Sequence, residues 1–209
     1  MARCKRLAGS SFGLSDLTHR YPRTVDCQGT TVNLELLTQL DHAAVKSFTR
    51  QLPEKDLLFL SRDIREEKVV SAWSKGLSEG EIVTIVARAD GEIVGTTAIL
   101  TDQHSWSAHV GELRVLIRPE VRAIGLGRIL IQESFLIGLE LGLEKLTVRM
   151  TLDQERAITV FEEMGFRAEA LLRGHVKDSS GSKHDLLILS HDVEAVQSMM
   201  QAYGFDEAF

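Results

Sequence analysis

Apolar and polar positions change period several times along the chain, and each change marks an element. "TTVNLELL" from Thr30 alternates as a strand does, and "DHAAVKSFTRQL" then takes up a helical period with Asp41 placed to cap it. The stretch "LPEKDLLFLSRDIREEKVVSAWSKGLSEG" mixes apolar clusters with charge and carries one early proline, which predicts one or two helices ending near Gly76 or Gly80. "EIVTIVARADGEIVGTTAIL" returns to a period of two on both sides of Ala89-Asp90-Gly91-Glu92, and Asp-Gly between β-rich runs predicts a hairpin. "SAHVGELRVLIRP" reads as a fourth strand, with Leu113, Val115 and Ile117 on one face and Glu112, Arg114 and Leu116 on the other; Pro119 ends it.

From Gly125 to about Leu141 the period is helical again. Leu126, Leu130, Ile137 and Leu141 form one stripe, with Ile131 and Phe135 beside it, a surface broad enough to belong in a core. "KLTVRMT" is a fifth strand, and "LDQERAITVFEEMGF" a helix with Thr151 or Asp153 near its N-cap and Gly165 where a left-handed residue closes it. "GFRAEALLRGHV" and "SKHDLLILS" form a closing strand pair around "KDSSGS". Strand, helix and strand from Val110 to Met150 imply a parallel crossover, so the order predicts an α/β chain built on a mixed sheet of six to seven strands flanked by helices.

Residues 1–28 are polar and lack sustained periodicity, and read as an N-terminal extension; 29–191 form the domain, and 192–209 a short amphipathic helical tail with enough Met, Val and Phe to cover a surface of its own or of a partner in a homodimer. No apolar run reaches the roughly 18 residues of a membrane helix. The formal charge of -6 argues against nucleic acid as partner, since a general binder carries a basic stripe. Cys4 and Cys27 form no CxxC pair and the seven histidines show no ligand spacing, so no metal is expected and a reducing cytoplasm is the expected compartment. The basic start "MARCKRLAGSSFGLSDL" is followed by no apolar segment of the signal-peptide kind.

The chemistry concentrates in "PEVRAIGLGRIL". A strand, a glycine-containing turn and a helix N-terminus present unpaired N–H groups at the positive end of a helix dipole, which is a phosphate-binding arrangement. Gly125 and Gly127 let a ligand's oxygens come close to the backbone, and Arg122 and Arg128 supply charge of the matching sign. The sequence is neither GxxxxGK[ST] nor GxGxxG followed by a ribose-binding acid. The alternatives are ordinary turn glycines and a solvated arginine rim.

The run "GELRVLIRPEVRAIGLGRILIQ" followed by "LTVRMTLDQERAITVFEEMGF" closely resembles the GNAT superfamily of acyl-CoA-dependent N-acyltransferases, in the family's order and spacing from Val110 to Phe166. The strand it identifies as the fourth also resembles that of Pat-type protein acetyltransferases. The resemblance implies a GNAT-like fold in which strands four and five splay apart, with acetyl-CoA as donor and no metal. It implies that the amides of Ala123, Ile124, Gly125, Leu126, Gly127 and Arg128 hold the pyrophosphate of coenzyme A, and that the pantetheine arm lies near Leu116 and Ile117. Arg122 and Arg128 are the added side chains, and Gln154 stands where the family often has Asn.

By the same resemblance Glu112 is a catalytic general base, often acting through water; the plain alternative is a strand carboxylate paired with Arg114 or Arg149. Phe161 departs from the family, which commonly has Tyr there to protonate the leaving thiolate. Phenylalanine donates no proton, so the ring is expected either against the pantetheine arm or in the core. The acceptor is an amine, whether a small molecule, an amino acid or a protein lysine; a catalytically weak acyl-CoA-binding module is the competing class.

Overall fold

The computed structural model describes residues 14–193. Its elements in chain order are α1 (Leu14–Arg20), β1 (Arg23–Cys27), β2 (Thr30–Leu36), α2 (His42–Arg50), α3 (Glu67–Glu79), β3 (Ile82–Ala89), β4 (Glu92–Leu100), β5 (Val110–Ile117), α4 (Leu126–Glu140), β6 (Lys145–Thr151), α5 (Glu155–Glu163), β7 (Arg167–Lys177) and β8 (Lys183–Asp192). The eight strands form one sheet in the order β1-β2-β3-β4-β5-β6-β8-β7. Every pairing is antiparallel except β5 with β6, which α4 joins as a crossover. The mixed sheet of the sequence reading is therefore present, with one strand more.

That extra strand is β1, inside the stretch read as an extension. It pairs with β2 from Arg23↔Leu34 to Cys27↔Thr30, across the boundary drawn at residue 28. Leu17, Tyr21 and Cys27 are buried in the main core. The Tyr21 hydroxyl donates to Glu133 of α4, and Arg23 pairs with the same carboxylate at 2.7 Å. Glu133 is only 1% exposed, so these two partners are what make its burial tolerable. Burial and the adjacent carboxylate hold the Tyr21 phenol well above its usual range. The helical tail expected over 192–209 lies, from residue 194 on, outside the described residues; β8 itself runs to Asp192.

Local signals explain most of the elements. Asp41 caps α2 by accepting from the N–H groups of Ala43 and Ala44, at 2.9 and 3.1 Å. Gly80 closes α3 with φ 73°, and Asp90 and Gly91 turn the β3–β4 hairpin with φ 51° and 81°. The N-cap of α5 differs from expectation. The position falls on Gln154, without a side-chain cap; Thr151 contributes its carbonyl, which accepts from the Gln154 N–H at 3.0 Å.

Two cores sandwich the sheet. One collects Leu126, Leu130, Ile131 and Ile137 of α4 with Phe161 of α5 and Leu113, Leu146, Val148 and Met150 of the strands. The other joins α2, α3 and the segment between them to Val86, Ile93, Leu116 and Leu186. Each fully buried aliphatic side chain contributes about 1.5–3 kcal/mol, which fixes α4 firmly against the sheet. Along β5, Leu113 and Ile117 face the first core and Leu116 the second, so Glu112 and Arg114 stand on the α2–α3 face.

Candidate active site

The parallel ladder between β5 and β6 covers only Val110↔Lys145 to Leu113↔Val148. Beyond it β5 follows β4 as far as Ile117↔Gly95, while β6 follows β8 as far as Thr151↔Leu186. The sheet forks. The next rung would set Arg114 opposite Arg149, and like charges across a ladder are unfavourable. Both guanidiniums turn instead to Glu112 at the apex: Arg114 Nε donates to Oε1 at 2.8 Å, and Arg149 Nη2 stands 3.3 Å from Oε2.

The turn leading out of β5 is built by Pro119, whose carbonyl accepts from the Arg122 N–H at 3.3 Å. Ala123 then takes φ 64° and Gly125 φ 88°, and α4 begins at Leu126. These left-handed residues turn successive amides toward one side. The N–H groups of Ala123, Ile124, Gly125, Leu126 and Gly127 have no hydrogen-bond partner among the described residues. The Arg128 N–H is already satisfied by the Gly125 carbonyl at 3.1 Å, so it drops out of the expected set of free amides. Gly127 has an ordinary φ; its constraint is the Ile117 side chain, which a Cβ would meet at 3.2 Å.

A cavity of about 820 Å³ opens at this turn and runs into the fork. Of the residues named from sequence, Leu116, Ile117, Arg122, Ala123, Gly125, Gly127, Arg128, Gln154 and Phe161 line it. Ile124 and Leu126 do not: their side chains pack in the first core, leaving only their N–H groups to the turn. Phe161 is 4% exposed and stacks edge-on against Phe166 with centroids 5.0 Å apart, so it is a core ring with one side on the cavity.

The two arginines are already engaged. Arg122 donates to Asp56 Oδ2 at 2.6 Å and, from the same Nη2, to the Ile117 carbonyl at 2.9 Å. Arg128 pairs with Glu163 of α5. Glu112 does not line the cavity, but Arg149 beside it does. Both partners weighed for Glu112 from sequence hold it at once.

Sequence reading missed Lys55, Phe59, Arg149 and Arg156 as cavity residues. For Arg156 a signal existed: Arg156, Ala157, Val160 and Phe161 share one face of α5 by the helical period, so placing Phe161 placed Arg156 as well. Lys55 and Phe59 come from an irregular segment without periodicity. Thr151 is fully buried and its Oγ1 has no partner. Among the described residues no His, Cys, Asp and Glu side chains gather in a metal-binding group, and no helix is long and apolar enough to cross a membrane.

A forked mixed sheet with a row of free amides at the helix that follows the fork suits a ligand with a phosphate at one end and an extended arm at the other. The chain belongs to the acetyltransferase (GNAT) family, whose model matches residues 42–166. It is accordingly an acyl-CoA-dependent N-acetyltransferase. No curated protein matches the sequence.

Solved structures share the fold at low identity. The YncA protein of Salmonella typhimurium, solved with its cofactor acetyl-CoA, is 15% identical with a TM-score of 0.63, covering 78% of this chain and 94% of that one. Spermidine N-acetyltransferase from Vibrio cholerae, in complex with CoA and spermine, gives 15% and 0.63 over 78% and 96%. A GNAT-family acetyltransferase from Streptococcus pneumoniae gives 21% and 0.62 over 76% and 99%.

Proposed function

We propose that the protein moves the acetyl group of acetyl-CoA to a primary amine by direct attack in a ternary complex. The carrying observation is the run of unpaired N–H groups from Ala123 to Gly127 at the mouth of a cavity that continues into the fork. Those amides and the α4 dipole suit the diphosphate. Val115, Ile117, Ile131, Val160 and Phe161 form an apolar wall suited to the arm that follows it. The solved relatives that hold CoA or acetyl-CoA support this donor, and the spermidine N-acetyltransferase among them supports an amine as acceptor.

An amine with a pKa near 10.4 is neutral on the order of once in a thousand molecules at pH 7, so attack needs a base. Glu112 at the apex of the fork takes the amine proton through water. The amine nitrogen bonds to the acetyl carbon and the carbon–sulfur bond breaks. With Phe161 in place of a hydroxyl donor, the leaving thiolate, whose conjugate thiol has a pKa of about 8.5, takes its proton from water. The net change is ammonium plus acetyl-CoA to amide, free thiol and one proton.

The pairing of Glu112 with both Arg114 and Arg149 favours a second reading, a CoA-binding module with weak chemistry. Thiol release across a panel of amines decides between them. Turnover that Glu112→Gln lowers about 100-fold or more, with a changed pH profile and an unchanged coenzyme A affinity, supports catalysis. Binding of acetyl-CoA without turnover on any amine supports the module. An unchanged rate and pH profile in Glu112→Gln removes Glu112 from the mechanism.

A further inference from the structure

We infer that the acceptor carries a carboxylate beside its amine, and that Arg149, with Arg114 opposite, reads that carboxylate on the α2–α3 face of the fork. The inference rests on the N-acetyltransferase reading and names the acceptor class for the same site.

Three charged groups sit where the strands part. Glu112, Arg114 and Arg149 have side chains 20%, 20% and 38% exposed, so all three are half-buried. One carboxylate between two guanidiniums leaves a surplus of one positive charge, and a partly desolvated surplus charge calls for a counter-ion. Arg114 spends its Nε on Glu112 and its Nη2 on Ser61 Oγ at 3.3 Å. Arg149 lines the cavity, and beyond its one ion contact, at 3.3 Å, its guanidinium has no partner among the described residues. A guanidinium with free parallel donors is shaped for bidentate capture of a carboxylate.

The placement also fits the direction of approach. Phe161, Val160, Ile131 and Met150 line the cavity from the α4–α5 side, whereas Phe59, Leu116 and Arg149 line it from the opposite face. The donor turn lies at the start of α4, so a molecule entering over Arg149 reaches the fork from the side away from α4 and α5. Of the acidic residues on the cavity wall, Asp56 is bound by Arg122, whereas Asp153 and Glu155 stand at the start of α5 with Arg156 beside them in the chain. Arg149 on the cavity wall, with Arg114 behind it on the same carboxylate, disfavours a polyamine, which is discrimination by an unfavourable contact as much as by a favourable one.

Matched acceptors test it: lysine against cadaverine and phenylalanine against phenethylamine, with spermidine as a polycation. The wild-type protein is expected to favour the carboxylate-bearing member of each pair by about 10- to 100-fold in kcat/KM. Arg149→Gln is expected to bring each pair to near equality, whatever loss both members share through Glu112, and Arg149→Lys to restore part of the preference. Equal or better turnover of cadaverine and spermidine overturns the inference and leaves the acetyltransferase standing. So does a loss in Arg149→Gln that is the same for both members of a pair. Thermal shift of the CoA-saturated protein by each amine gives a readout without turnover. A shift with lysine, absent with cadaverine and lost in Arg149→Gln, supports the acceptor class even if no amine is acetylated.

Discussion

Replacing Gly125 and Gly127 separately with alanine should separate the two reasons for glycine in one turn. At Gly125 φ is 88° and no atom lies within 4 Å of the place a Cβ would occupy, so the substitution meets open space but a strained backbone. A left-handed residue other than glycine costs about 1–2 kcal/mol. For a chain of this size that lowers Tm by roughly 2–8 °C. At Gly127 the backbone is helical, and the new methyl meets only the tip of Ile117 at 3.2 Å, which must give way by a few tenths of an ångström. Alanine's helix preference of up to about 1 kcal/mol offsets that, so Tm should stay within about 3 °C. Gly127 nevertheless lines the cavity beside the free amides proposed to hold the diphosphate. Coenzyme A should therefore bind Gly127→Ala about 10- to 100-fold more weakly, the worth of a charge-assisted hydrogen bond or two. Thermal unfolding and calorimetric titration with coenzyme A read the two effects. Wild-type affinity in Gly127→Ala, or an unchanged Tm in Gly125→Ala, would refute the reasoning.

Phe161→Tyr adds a hydroxyl to a ring that lines the cavity and should raise kcat by roughly tenfold without weakening coenzyme A binding; a fall in kcat would show that the ring only packs. Glu133→Gln removes the charge that Tyr21 and Arg23 share; Arg23 is partly solvated, so the loss should be about 1–3 kcal/mol, seen as a lower Tm at an unchanged KM for acetyl-CoA. His191 is packed against Phe135 and Phe166, and burial pushes its imidazole below the usual range. The unfolded chain then binds the proton more readily than the folded one, so stability should fall as pH drops through about 6.5; the urea midpoint at pH 5.5 against pH 7.5 should show this, and His191→Phe should reduce the difference.

The parts of the fold legible in the sequence were those with a strong local period or an obligatory local residue. Helix α4 announced itself by a stripe that returns every three to four residues, and the turn by its glycines. The extra strand β1 did not. Of its five residues only Cys27 is fully covered, and it is held by β2 and, through Arg23, by the distant carboxylate of Glu133. No window of sequence contains that contact. At the site, the turn and the face of Glu112 could be read, because both follow from strand alternation and helix termini. That Arg114 and Arg149 share Glu112 could be offered only as one or the other, since their meeting depends on where the β5–β6 ladder stops.

That stopping point makes the fork an edge in the middle of a sheet. An outer strand exposes its backbone to any passing chain, and proteins shield such edges against unwanted pairing. Here the two unpaired flanks, Arg114–Ile117 and Arg149–Thr151, face each other between β4 and β8. What they can admit is an extended chain about one strand wide that brings its own amides, by the same rule that lets peptides add to open sheets. The pantetheine of the proposed donor is such a chain, and under that proposal the missing rungs of the ladder are also a measure of the ligand.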